Sequence, residues 1–448
     1  MQLRPYQNEL FLSIRDSIRG GIKNPLVVSP TGSGKTATFC YIAHRTSQAG
    51  NRVLILVHRS ELVFQTSETL KKFQVDHGII QAGITPDPSK LVQIAMVQTA
   101  SRRLQSIAPP SLIITDECHH SAAGSYRAIL TAFPDAASVG FTATPVRLDG
   151  KGLGDYFGKI IIGQTVEWLI QNGHLVRPKY YSLPSPSELS KVKTVRGDYS
   201  AEQSAAIMDT VSVTSDAVAQ YNKICPGTKA VAFCINIAHA EHVADQFTRS
   251  GIPAGVIHGG LKNDERKKIV QDLTDGKLKV MTSVDVVSEG FDLPSAETAI
   301  LLRPTKSLGL HLQQIGRILR PWDGKTAYVL DNVRNLNRHG IAEEEREWTL
   351  DGVDKQSKNS ESLGMKQCKQ CFCLHKPAPQ CPECGYEYEI AKYEPEAKME
   401  VDLVEFRTKP LNKLLEHCKT KKDLYQIQKA RGYKSGWVWH MAKELNLK

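Results

Sequence analysis

Four groups of residues carry spacing that chemistry requires. The first, Ser29–Thr36, reads SPTGSGKT between the apolar run PLVV and the helix-forming run ATFCYIAHR. A strand, a glycine loop and a helix in that order make a phosphate cradle. Gly32 and Gly34 let the backbone N–H groups of Thr31, Ser33 and their neighbours turn inward, and the helix adds its positive end. Lys35 is placed to reach the β and γ phosphates of ATP, and the Thr36 hydroxyl to ligate Mg²⁺. The strict pattern has glycine where this chain has Ser29.

The second group, Asp116 and Glu117, ends the apolar run SLIIT. Carboxylates at the carboxyl end of a parallel strand can stand beside such a cradle. Asp116 is expected to hold Mg²⁺, directly or through water, and Glu117 to orient the attacking water, since phosphoryl transfer needs mainly positioning and charge compensation. The third group, Gln313, Arg317 and Arg320, sets two guanidinium groups and an amide within eight residues; its role is implied only by the family resemblance drawn below. The fourth is Cys368, Cys371, Cys381 and Cys384, two C-x-x-C pairs suited to a tetrahedral, structural Zn²⁺, with a redox dithiol as the competing reading. Cys373 and His375 are surplus to a closed four-thiolate shell. The other five cysteines are scattered, which argues against a disulfide framework.

Elements able to position these groups recur along the chain. From Pro25, apolar runs (PLVV, RVLILVH, LVQIAMV, SLIITDE, ASVGFTATP) alternate with helical patterns, and a second series (KAVAFCI, AGVIHGG, LKVMTSV, TAILLRP, TAYVLD) starts near Lys229. Such alternation predicts α/β domains with parallel sheets flanked by helices. The expected organisation is a first domain over 1–164, a connector over 165–215, a second domain over 216–335 and an accessory tail over 336–448, with the cysteine ribbon at 366–388. From Val401 onward, 11 Lys and Arg stand against 5 Asp and Glu, with the aromatic piece RGYKSGWVWHMAKEL. Trp437 and Trp439 could stack on bases or form the core of a helical hairpin.

Composition bounds the class. A chain of 448 residues, 41% apolar and 23% charged, suits a multi-domain globular protein. No apolar run approaches the roughly 18–20 residues that span a bilayer, and MQLRPYQNEL lacks the apolar stretch of a signal peptide. No membrane partner and a cytoplasmic location are expected. The net charge of +10 favours an anionic partner such as nucleic acid, although solubility alone also explains a basic surface.

With PTGSGKT, DECH and FTATP in this order, the chain resembles superfamily 2 helicases of the DExH type. The resemblance covers about residues 3 to 321 and implies two tandem RecA-like domains with ATP between them. LRPYQ, with Arg4 and Gln7, resembles the adenine-recognition element of these proteins, although it also reads as an ordinary helix start. VHRSELVFQ (Arg59, Gln65) and VQTASRR (Gln98, Thr99) look like the motifs that contact the nucleic-acid backbone in relatives. His258 in IHGG and Thr282 in TSVDVVSEGFDLP are carried over as further nucleic-acid contacts. Thr142 and Thr144 in FTATP, with Glu289, are the implied coupling residues, and Gly290 and Asp292 join the implied nucleotide-binding set. Gln313, Arg317 and Arg320 match the family's arginine-finger helix.

The layout of motor followed by cysteine ribbon is similar to RadD-like proteins and, more loosely, to UvsW-type branch-migration helicases of bacteria and phages. It implies a DNA helicase or translocase of replication, recombination or repair, working in a bacterial or phage-infected cell. Forked, branched or duplex DNA is the expected partner, RNA the less favoured one, and single-strand-binding or recombination proteins are candidates beside it. An RNA helicase and the motor subunit of a restriction or defence complex are the alternatives.

Overall fold

The computed structural model describes residues 1–120, 124–146, 152–183, 187–195, 197–285, 293–351, 365–388, 410–416, 418–434 and 436–447. Seven strands make the first sheet: β1 (Pro25–Val28), β2 (Val53–Val57), β3 (His77–Ile80), β4 (Val92–Met96), β5 (Leu112–Thr115), β6 (Ala137–Thr142) and β7 (Lys159–Ile162), in the order β3-β4-β2-β5-β6-β1-β7. All pairings are parallel. β1, β2 and β5 are buried at every position, as strands covered on both faces must be.

Helices α1 (Pro5–Arg19), α2 (Lys35–Gln48) and α3 (Ser60–Lys72) enclose a core that includes Ile14, Phe39, Ile55, Val63, Leu70 and Phe141. A proline at the first position of α1 suits a helix start, because the N–H it lacks would have no intrahelical acceptor there.

The second sheet draws on a wider stretch of chain. Its strands are β8 (Pro178–Ser182), β11 (Ala230–Phe233), β12 (Ala254–Ile257), β13 (Val280–Ser283), β14 (Thr298–Leu301), β15 (Ala327–Asp331), β16 (Lys366–Gln367) and β17 (Cys373–His375), in the order β12-β13-β11-β14-β15-β8-β17-β16. A separate hairpin joins β9 (Thr194–Val195) to β10 (Asp198–Tyr199).

Two features differ from the organisation expected from sequence. The segment read as a connector supplies β8, which pairs parallel with β15 over Pro178–Ser182. The cysteine hairpin, read as part of a tail, pairs antiparallel with β8 through Cys373↔Tyr181 and Leu374↔Tyr180. Lys179 and Tyr181 also hold Glu383 of the hairpin, at 2.8 and 3.4 Å. The second difference follows from the first. β8 would otherwise leave its outer row of peptide groups as an open sheet edge, and the short hairpin covers it.

The chain beyond residue 340 behaves similarly. Tyr180 and Glu343 are hydrogen-bonded, and the Arg346 guanidinium donates to the carbonyls of His339 and Ile341, fastening the segment to the second sheet's domain. Its far end then returns to the first domain, where Leu350 O accepts from the N–H groups of Leu153 and Gly154 at 2.9 and 3.0 Å. Trp348 and Leu350 pack there on a cluster containing Leu26, Val28, Leu153 and Phe157. Between its anchored ends the strap stands off from Pro30 and Thr31 across a cavity of about 820 Å³.

Residues 387–448 form a second compact unit. Its helices Leu411–Leu415, Lys421–Arg431 and Trp437–Glu444 pack through Leu424, Val438 and Ala442, with Trp437 and Met441 against them. Trp439 is 75% exposed. Trp437 thus belongs to the helical core and Trp439 does not. At 3.6 residues per turn, Trp437 shares the packed face with Met441, and Trp439 points away from it.

Candidate active site

The phosphate loop has the shape its sequence demands. Gly32 and Gly34 both sit at φ +86°, a region other residues rarely adopt, and a Cβ on Gly34 would lie 2.3 Å from Gln7 Nε2. The Ser29 that replaces glycine is accommodated: its hydroxyl donates to Ser33 Oγ at 2.7 Å, and Ser33 donates in turn to Pro30 O. Lys35 Nζ donates to the carbonyls of Ser29 and Pro30 at 3.0 and 3.3 Å. Burial lowers its pKa, against the attraction of Glu117 and Asp116.

Upstream, Gln7 Oε1 accepts from the Arg4 N–H, and Gln7 Nε2 donates to Ser33 O at 3.1 Å. Tyr6 Oη donates to the same carbonyl at 2.8 Å. The Arg4 guanidinium lies 3.4 Å from His174 Nδ1, and Tyr6 packs edge-on to Trp168, with ring centroids 5.6 Å apart. Tyr6 stood beside Gln7 in LRPYQ, so it was within reach of sequence reasoning. Trp168 and His174 were not, being some 160 residues distant.

Asp116 and Glu117 follow β5, both buried. Burial, reinforced by Glu117, pushes the Asp116 carboxyl up to about 6. Two adjacent buried acids beside Thr36 form a hard-oxygen donor set that suits Mg²⁺, which would offset their mutual repulsion. Glu117 adopts φ +46°, an unusual backbone for a residue with a side chain, of the kind that concentrates at functional sites. His119, the last residue of DECH, lies 3.4 Å from the Glu117 carboxylate and 3.1 Å from Thr142 Oγ1. Thr142 Oγ1 donates to Thr144 O and accepts from Thr144 N, so His119 stands between the Glu117 carboxylate and the hydrogen-bonded FTATP turn. The coupling set named from sequence omitted His119.

The second domain meets this site through the helix Leu308–Gly316, capped by Ser307 Oγ accepting from Leu310 N. A Cβ on Gly316 would lie 2.5 Å from Thr31 Cβ, and one on Gly309 2.8 Å from Thr144 Oγ1. Glycine at both positions is therefore what lets this helix approach the phosphate loop and FTATP. Gln313 is buried in the same helix. A cavity of about 220 Å³ is lined by Thr31, Gly32, Gly34, Lys35, Thr36, Asp116 and Glu117 from one domain and by Arg317 and Arg320 from the other. The stem of Arg320 passes Gly32, and burial lowers its guanidinium to about 10. A triphosphate in this cavity would meet cationic groups on two separate bodies.

The residues expected to touch nucleic acid are placed more variously. Gln65 lines the cavity just described, not a separate surface. Arg59 donates to Asp285 O of the second domain at 2.9 Å, and its helix neighbour Glu61 pairs with Arg266 across the same junction. Gln98 is exposed, Thr99 half-buried and His258 half-buried, the last accepting from Gly260 N. Thr282 is fully buried within β13, its hydroxyl 3.5 Å from Gly255 O. Glu289, Gly290 and Asp292 lie outside the described residues.

Sγ atoms of Cys368, Cys371, Cys381 and Cys384 all lie within 4.8 Å of one another, with Cys368 to Cys384 at 3.6 Å and Cys371 to Cys381 at 3.7 Å. Four thiolates around tetrahedral zinc, with bonds near 2.3 Å, stand about 3.8 Å apart. The cluster could therefore bind zinc. Phe372 and Gly385 take positive φ, turning each C-x-x-C pair inward, and His375 Nδ1 contacts Lys376 O instead of the thiols.

Comparison with known proteins agrees with this geometry. Residues 1–147 match the family described as Type III restriction enzyme, res subunit, and residues 190–321 match the helicase conserved C-terminal domain. A 51.5 kDa protein of Lactococcus phage (isolate 7-9) is 36% identical over 383 residues, covering 84% of this chain and 81% of the phage protein. The chain belongs to the superfamily 2 helicases. As a helicase of this class it is a nucleic-acid-dependent ATPase.

The helicase is also 33% identical to IRC3 of Saccharomyces cerevisiae over 71% of its own length, but spans only about half of that protein (49%). It is 26% identical to the DNA 3'-5' translocase XPB2 of Sulfurisphaera tokodaii, covering 74% of this chain and 82% of XPB2. Among solved structures, the Type ISP restriction-modification enzyme LlaBIII bound to DNA shares the fold at TM-score 0.56 and 19% identity, over 74% of the helicase and 28% of LlaBIII. Among the described residues, no helix is long and apolar enough to cross a membrane.

Proposed function

We propose that this helicase uses ATP to move on DNA and to unwind or remodel forked and branched substrates, as branch migration in replication, recombination or repair requires. The observation that carries the reading is the cavity lined by Lys35, Asp116 and Glu117 from one domain and by Arg317 and Arg320 from the other. Lys35 holds the β and γ phosphates, Thr36 and Asp116 hold Mg²⁺, and Glu117 orients the water. Arg317 and Arg320 compensate transition-state charge only when the domains are closed, so hydrolysis and domain motion are tied together. His119, Thr142 and Thr144 carry the nucleotide state towards the nucleic-acid surface. Gly290 and Asp292 as nucleotide-binding residues and Glu289 as a coupling residue rest on the resemblance of SEGFDLP to the family's motif alone.

DNA is favoured over RNA by XPB2, whose name is that of a DNA translocase and most of whose length the chain covers. Gln98, Thr99 and His258 are the surface positions from which the strand is gripped. Zn²⁺ held by the four cysteines has a structural role, since four thiolates leave no open coordination position. In the C-terminal unit, the exposed Trp439 and Tyr425 (75% and 56%) stand among basic residues and supply stacking faces for unpaired bases. Single-strand-binding or recombination proteins are the partners such a motor would meet.

ATP turnover measured with forked, duplex and single-stranded DNA, and with RNA of the same sequence, tests the reading. Strongest stimulation by forked DNA is expected; RNA matching or exceeding every DNA would reassign the motor to RNA. A second reading, the motor subunit of a restriction complex, is favoured by the family matched over residues 1–147. It is also favoured by 25% identity to a Type I restriction enzyme EcoAI endonuclease subunit of Escherichia coli, of which the chain covers 44%. DNA-stimulated turnover that needs no fork and continues on long duplex would support that alternative.

A further inference from the structure

Arg320 stands beyond the last turn of the helix Leu308–Gly316, where the chain leaves regular structure. Carbonyls at such a position have no helical partner. Two are nonetheless bound. Leu319 O accepts from Val176 N at 2.7 Å. Arg320 O accepts from Lys325 Nζ at 3.0 Å, and the same ammonium donates to Pro294 O at 2.9 Å. Pro294 closes the SEGFDLP segment, so one half-buried side chain joins the end of that segment to the end of the arginine-bearing one.

A tight turn aims Lys325 back at them: its own N–H donates to Trp322 O, and Gly324 adopts φ +63°. We infer that Lys325 is a positioning residue for ATP hydrolysis, fixing the backbone of Arg320 so that its guanidinium enters the phosphate cavity in one place. The inference rests on the finger role proposed above for Arg320.

The geometry explains why an amine serves here. Arg320 passes Gly32 in ordinary van der Waals range, its Cγ 3.7 Å from where a Cβ there would lie, and lines the cavity of the phosphate loop; a shift of about 1 Å in the arginine backbone would misplace its guanidinium for a bound phosphate. One ammonium can donate to two carbonyls that face each other from different segments, which no apolar side chain can do. Burial lowers the amine to about 7, with Glu297 opposing the shift and Arg320 adding to it; a primary amine keeps two N–H donors when neutral, so both carbonyls can stay paired in either protonation state.

Steady-state ATP hydrolysis by the full-length protein, with and without forked DNA, tests this in Lys325→Met, Lys325→Arg, Arg320→Ala and the double variant Lys325→Met with Arg320→Ala. Loss of hydrogen bonds from a charged donor predicts a kcat about tenfold lower for Lys325→Met, with KM for ATP moving less than about twofold. Lys325→Arg should recover most of the loss. A residue acting only through Arg320 adds nothing once Arg320 is gone, so the double variant should match Arg320→Ala. Full kcat in Lys325→Met while Arg320→Ala is impaired would overturn the inference, as would additive losses in the double variant. Full activity in Arg320→Ala would instead remove the finger role, and the inference with it. Should Lys325→Met fail to fold, Lys325→Gln takes its place, retaining a donor without the charge.

Discussion

The two sheets meet the same packing requirement with chain drawn from different distances. The first takes all seven strands from residues 25–162, and its chemistry sits where its own strands end: the phosphate loop after β1, the paired acids after β5, FTATP at the end of β6. The second reaches from residue 178 to 375, taking β8 from between the domains and β16 and β17 from beyond the last motif. Local chain makes the site proposed to grip ATP. Distant chain makes the body that must arrive at it. Binding groups thus survive changes elsewhere, whereas the arrival of Arg317 and Arg320 depends on contacts spread over the molecule.

The largest effects should separate these two contributions. Lys35→Ala and Glu117→Gln should each abolish measurable turnover, a loss of about a thousandfold or more, while only Glu117→Gln retains tight ATP binding. Arg317→Ala and Arg320→Ala should keep ATP affinity and lower kcat by a comparable factor, because a finger acts on transition-state charge. Nucleotide affinity measured by fluorescence titration decides the matter. If the arginine variants lost binding and the Lys35 variant did not, the division between a gripping domain and an arriving one would be wrong.

An intermediate effect is expected at the borrowed edge. Since β17 covers β8, removing zinc should do more than loosen a tail. Cys381→Ser, or chelation, should lower the melting temperature of the second domain by several degrees through exposure of the β8 edge, and should promote association at high concentration. Calorimetry and light scattering on the full chain read both. Unchanged melting with released metal would mean that the hairpin merely rests on the edge.

The smallest effect concerns acid. His239, His311 and His339 are all in or beside the second sheet's domain, and burial lowers them to about 4, 3 and 4 from an ordinary 6.5. A histidine kept neutral in the folded chain contributes stability that is complete above the unfolded value of 6.5 and is lost as pH falls towards the folded values. The second domain should therefore lose stability first between pH 6.5 and 4.5, and His311→Asn should flatten the slope even if it lowers stability at neutral pH. Loss of the first domain before the second would break the contrast at its weakest point.

The phosphate loop, the paired acids and the two arginines were legible because their chemistry needs particular residues at short, fixed spacing, and the cavity brings these groups together. The four cysteines were legible for the same reason. The placement of Tyr6 and His119 beside the site was nearly legible, each standing inside a quoted motif. Gln65 was expected at nucleic acid and lines the ATP cavity, because which face of α3 looks inward depends on the packing of the whole domain.

The sequence by itself determined the groups proposed to act on ATP and the alternating apolar runs that build two parallel sheets. Tertiary structure alone decided that β8 and the cysteine hairpin extend the second sheet and that the strap returns Trp348 and Leu350 to the first domain. It also decided that Lys325 holds the carbonyl of Arg320. The physical reason lies in what each kind of interaction needs. A motif is written by side chains a few residues apart, whereas an open sheet edge or an unpaired carbonyl accepts any correctly placed donor, and only the folded chain shows which one arrives.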